Sequence, residues 1–62
     1  MWSVVFEVRL PIGWTAFFNN PFCTERRARK YFNKRTKNMV DGFGYILYKD
    51  GKMIEHRRND EN

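Results

Sequence analysis

Seven of the twelve Lys and Arg residues fall between Glu25 and Lys37, against a single acid in that stretch. The remainder of the chain holds five bases and six acids, so the whole excess of +5 sits on one segment. Within it Arg26, Lys30, Lys34 and Lys37 recur at i, i+4, i+8 and i+11, which is one stripe of a helix. Arg27 and Arg29 widen the stripe on either side. Like charges at i, i+4 destabilise a helix by a few tenths of a kcal/mol per pair. Solubility alone does not demand that cost, because alternating signs dissolve as well. Phosphates relieve the repulsion and release condensed counterions when they bind. The stripe therefore points to nucleic acid or to an acidic protein surface; the bland reading is a merely soluble face of a basic protein.

Other reactive side chains are few. His56 is the only histidine and sits beside two arginines, which reads as a surface or rim residue. A metal site would need companions that the sequence does not bring to it. Cys23 lies just before the basic segment, where a helix dipole could activate a thiol, but burial beside Phe22 is the expectation. Glu7 and Glu55 could approach one another if the outer strands paired, and two carboxylates can perform acid–base work. Scattered strand glutamates, however, usually face solvent. Gly42-x-Gly44 has neither the spacing nor the following helix of a phosphate loop. The expectation is a non-enzymatic binding protein with no catalytic residue, no metal, no cofactor and no small-molecule substrate.

The elements that must position these residues follow from periodicity. Ser3 to Leu10 alternates, with Val4, Phe6, Val8 and Leu10 on one side and Ser3, Glu7 and Arg9 on the other, which predicts a half-buried strand. Leu10-Pro11-Ile12-Gly13-Trp14 reads as a hairpin with a three-residue loop. That register sets Leu10 near Trp14, Val8 near Ala16 and Phe6 near Phe18, all on one face. Asn19-Asn20-Pro21 ends the second strand. Thr24 caps a helix, Glu25 suits its positive end, and the helix runs to about Asn38. Ala28, Tyr31, Phe32 and Met39 form its apolar face. Phe43 to Lys49 is a third strand, Asp50-Gly51 a type I′ turn, and Lys52 to Arg58 a fourth strand. The expected pairing sets Leu47 opposite Ile54 and Tyr45 opposite His56. Residues 59–62 form a polar, frayed tail. The fold class is α+β, a single ββαββ domain over residues 1–58 with an antiparallel four-stranded sheet and one basic helix on one face.

A helix on one face leaves the other face open. If the even residues of the first hairpin and the pair Leu47 and Ile54 meet the helix, then Val5, Phe17, Ile46, Tyr48 and Met53 face away. Such a patch usually marks an interface, a homodimer, a host partner or a platform for stacked bases; the bland reading is partial cover by Trp2, Phe22 and the loops. Ile46, Tyr48 and Met53 could equally be the core set. Six Phe, three Tyr and two Trp compensate for the small size of a 62-residue chain. One cysteine permits no intramolecular disulfide and fits a reducing, cytoplasmic setting. The apolar start Met1 to Phe6 is too short for a signal peptide, and no stretch approaches a membrane span.

Gly13-Trp14 in the first hairpin, Thr24 with Ala28 at the helix start, and Asp50-Gly51-Lys52 in the last hairpin resemble a family of short bacterial and phage domains of unknown function. Where that family usually has an acid before the helix alanine, this chain has Arg27. The resemblance implies ββαββ and supplies no activity. The compact, aromatic-rich, basic character is similar to that of many phage accessory proteins. It implies a second reading beside nucleic-acid binding: a phage-encoded inhibitor or adaptor, in the host cytoplasm, that docks on an acidic host protein.

Overall fold

A computed structural model describes residues 1–60. The chain runs β1 (Trp2–Leu10), β2 (Gly13–Phe22), α1 (Glu25–Thr36), β3 (Phe43–Lys49) and β4 (Lys52–Arg58). The four strands form one antiparallel sheet in the order β2-β1-β3-β4, with the helix on one face, so the fold is α+β. No helix among the described residues is long and apolar enough to cross a membrane.

The alternation of β1 decides which face is which. Val4 pairs across the sheet with Leu47, and these two side chains meet Ala28 and Phe32 of α1 in a fully buried centre. Trp2, Phe6, Phe22, Tyr31 and Met39 pack around it, with Tyr45 nearly buried. The apolar helix face is Ala28, Tyr31 and Phe32 as expected, whereas Met39 packs on the core from beyond the helix end. Thr24 caps the helix by accepting a hydrogen bond from the Arg27 N–H at 3.3 Å. The Leu47 row faces the helix, which places Ile46, Tyr48 and Met53 on the opposite side.

Both expected hairpin registers are corrected, each by an extra residue in an edge strand. Leu10 pairs with Gly13, so the first loop has two residues, Pro11 and Ile12, with Gly13 at φ 121°. Phe6 does face Phe18, but Glu7 then faces Ala16, leaving Phe17 as an unpaired bulge residue. The bulge moves Trp14 and Ala16 to the face away from the helix, since Trp14 is level with Arg9. In the second hairpin Leu47 faces Glu55 and Tyr48 faces Met53, so Ile54 is the extra residue and His56 lies opposite Ile46, not Tyr45. Asp50 and Gly51 adopt φ 51° and 81°, both positive as a type I′ turn requires.

Three boundaries also move. β2 continues through Pro21 to Phe22, because on an edge strand the missing proline N–H can face outward at no cost. The helix ends at Thr36, whose hydroxyl bonds back to the Phe32 carbonyl at 2.9 Å. The start of the expected tail is tied down: the Asn59 N–H donates to the Phe43 carbonyl at 2.9 Å, its carbonyl accepts from Gly42 at 2.8 Å, and its side chain donates to the Met39 carbonyl at 2.7 Å. Residues 61–62 of that tail lie outside the described residues. Cys23, expected beside Phe22 in the interior, is exposed.

Candidate functional site

The helix turns its cations to solvent because its other face is spent on the core. Arg26, Arg27, Lys30, Lys34 and Lys37 are all exposed. Arg29 does not widen the stripe. Its guanidinium turns toward the sheet, 2.7 Å from Glu25 and 3.7 Å from Glu55, over the Trp2 ring at 5.8 Å. Arg57 makes a second bridge between sheet and helix: it lies 5.2 Å over the Phe32 ring and donates to the Thr36 hydroxyl at 3.1 Å. The helix is thus strapped down on its β4 side by arginines.

The described carboxylates are spent elsewhere. Glu7 pairs with His56 and Arg58, Glu25 with Arg29, Asp41 and Asp60 with Arg9, Asp50 with the Met1 amino group, and Glu55 with Arg57. Among the described residues no acid reaches Arg26, Arg27, Lys30, Lys34 or Lys37, so these positive charges are not neutralised by them. Asp60 and Asp41 hold the Arg9 guanidinium firmly protonated, and Glu7 does the same for Arg58.

Beside the stripe the surface is apolar. Phe22 and Tyr31 pack at 5.2 Å between ring centroids and floor a groove of about 300 Å³ whose remaining walls are Arg27, Lys30 and Lys34. Aromatic floor and cationic rim therefore belong to one surface, which the sequence separates into a strand end and a helix face.

The opposite sheet face is not the bare apolar patch that alternation suggests. Its centre is Glu7, only 4% exposed. The His56 Nε2 lies 2.5 Å from one carboxylate oxygen, and the Arg58 Nε–H donates to the same oxygen at 2.7 Å. The Arg58 guanidinium stacks 4.3 Å above the Trp14 ring. Burial pushes the Glu7 carboxyl up, but hydrogen bonds and charge from Arg58 and His56 outweigh it and hold the group below its ordinary value. Glu55 lies on the helix side with Arg29 and Arg57, so the two glutamates do not meet. Glu7 and His56 are two donors, and among the described residues no group of three or more metal-ligating side chains occurs. Of the interface candidates, Ile46 is buried, Val5 and Tyr48 are half-buried, and Phe17 and Met53 are exposed at 53% and 54%. The signal for the Glu7 cluster was in the sequence only as Glu7 on one strand and His56 and Arg58 on another; the two bulges that bring them together with Trp14 were not.

No protein-family model, no curated protein and no solved structure matches the chain.

Proposed function

We propose that the protein is a small, non-enzymatic nucleic-acid-binding module that contacts phosphates through the outer face of α1. The observation that carries this reading is the charge arrangement: five exposed cations on one helix face, with every described acid paired to a different group. A helix that keeps like charges at i, i+4 accepts a small penalty that an external polyanion removes. Phosphate contacts set affinity and position without reading sequence, which fits a face of Lys and Arg and no base-reading motif.

Fluorescence anisotropy with labelled oligonucleotides across a salt series tests this. Four contacts by Arg26, Lys30, Lys34 and Lys37 give a log–log slope of about −3.6 on duplex DNA or about −2.8 on a single strand. The variant with all four changed to Gln should lose binding while remaining folded. Absence of binding at low salt, or equal binding by that variant, sinks the proposal. Retention of a cytosolic protein after nuclease treatment, with no oligonucleotide binding, would favour the acidic-partner reading instead.

A further inference from the structure

The stripe of cations says nothing about strandedness; the aromatics beside it do. Arg29 and Arg57 bridge the helix and β4 on one flank; on the other the helix meets β2 through Tyr31, which packs on Phe22 and accepts a hydrogen bond from Asn20 at 3.4 Å. Along that flank the groove floored by Phe22 and Tyr31 meets a second, of about 260 Å³, at the Tyr31 ring. The second is walled by Phe6, Phe18, Asn20, Tyr45 and Arg35. It meets a third, of about 250 Å³, at Arg35 and Tyr45, and Lys34 lines both the first and the third. The three hollows form a row, a trough along one flank of α1: the first two lie between the helix and β2, divided by Tyr31, and the third lies between the helix end and β3; Arg27, Lys30, Lys34 and Arg35 line the helix side.

Phe18 stands out in this trough. It lies on the helix side of the sheet yet is 65% exposed. One face of its ring stacks on Phe6, with centroids 6.1 Å apart and planes 20° from parallel. Phe6 in turn packs edge-on against Phe43 at 5.0 Å and against Tyr45 at 5.1 Å. Phe18 is thus the outermost ring of an aromatic cluster, packed on Phe6 and still largely exposed. A double helix keeps its base faces inside its own stack and has none to offer. An unpaired base has a π face, and base–aromatic stacking is tolerant of base identity.

We infer that the nucleic acid bound by this protein is single-stranded, and that it runs along this flank of α1 with an unpaired base stacked on Phe18 and phosphates on Arg27, Lys30, Lys34 and Arg35. The inference rests on the proposed nucleic-acid reading and narrows its ligand class. Both sides of the contact are complementary: apolar rings for bases, cations for the backbone, and among the described residues no carboxylate lines the trough.

The test compares a 12-nucleotide oligo-dT, its oligo-rU counterpart and a 12-base-pair duplex by anisotropy at one fixed ionic strength. At least one of the single strands should bind roughly tenfold or more tightly than the duplex; a preference between dT and rU then reads the 2′-hydroxyl. Phe18→Ala should weaken single-strand binding by about 5- to 150-fold, the range of one lost stacking contact. Because Phe18 holds no phosphate, its salt slope should not change, whereas Lys34→Gln should reduce the slope by about 0.7. Phe18→Leu, which keeps an apolar side chain on Phe6, should recover little of the loss. Circular dichroism checks that each variant is folded, as the exposure of Phe18 leads one to expect. If the duplex binds as tightly as both single strands, or Phe18→Ala binds oligo-dT and oligo-rU as wild type does, the inference is overturned and the phosphate reading stands. If nothing binds at low salt, both fall together.

Discussion

Glu7 is the one charged side chain buried among the described residues, and its place follows from what surrounds it. A buried carboxylate must be paired and hydrogen-bonded to remain ionised. Arg58 and His56 supply both, and Gly44 supplies the room: a Cβ there would lie 2.6 Å from one carboxylate oxygen and 2.9 Å from the Glu7 Cγ. Gly44→Ala must therefore push Glu7 off its partners, and a loss of about 1–3 kcal/mol in chemical denaturation is expected. The pH dependence has a definite sign. The folded carboxyl titrates below its ordinary value of 4.5, so its stabilisation is complete above that value and is lost as the pH falls through the depressed folded value. Urea midpoints measured from neutral pH down to about pH 3 should fall, and Glu7→Gln should flatten part of that fall. An identical profile in the Gln variant would show that the pair with Arg58 and His56 does not stabilise the fold.

At the scale of elements, the features legible in the sequence were those with a local cause. The alternation of β1, the Thr24 cap, the apolar helix face and the Asp50-Gly51 turn each depend on a few adjacent residues, and each is found where its residues sit. The two bulges were not legible. An extra residue at Phe17 or Ile54 is decided by how a whole strand fits its neighbour, and β-branched or aromatic residues are unremarkable at either position. The consequence was large for the site, because one bulge turns Trp14 toward Arg58 and the other moves His56 beside Glu7. Both bulges lie in the edge strands β2 and β4, where an interrupted ladder is a general obstacle to pairing with another chain. The turn gives the cleanest test. Gly51 has φ 81° and no atom within 4 Å of a built Cβ, so a substitution there meets backbone strain and no clash. Gly51→Val should cost about 1–3 kcal/mol, and Gly51→Asn, which tolerates the left-handed region, much less. Equal denaturation midpoints for the two variants would contradict the type I′ turn. For α1 the expectation runs the other way: changing Arg26, Lys30, Lys34 and Lys37 to Gln removes i, i+4 repulsion, so the melting temperature should hold or rise slightly.

At the scale of the whole molecule, the concentration of charge on one segment was plain in the sequence, but the trough was not. Its hollows lie where the helix meets β2 and the start of β3, and neither strand order nor helix placement can be read from local periodicity. The same economy makes the fold fragile. The largest fully buried side chains are only Phe32, Leu47 and Val4. A domain of this length is stable by about 3–9 kcal/mol, at roughly 0.05–0.15 kcal/mol per residue. Removing a fully buried Phe costs about 3–5 kcal/mol, which takes from a third to all of that margin. Phe32→Ala should therefore be largely unfolded near room temperature, with collapsed amide dispersion in its NMR spectrum. Phe18→Ala, a truncation of the same chemistry at an exposed ring, should keep the dispersion of the wild type. The contrast separates the two roles of phenylalanine in this chain: rings that hold the helix to the sheet, and a ring that the sheet holds out to solvent. If both variants unfold, Phe18 belongs to the core and cannot serve as an open platform. If both remain folded, the Val4, Phe32 and Leu47 centre is not what holds the domain together.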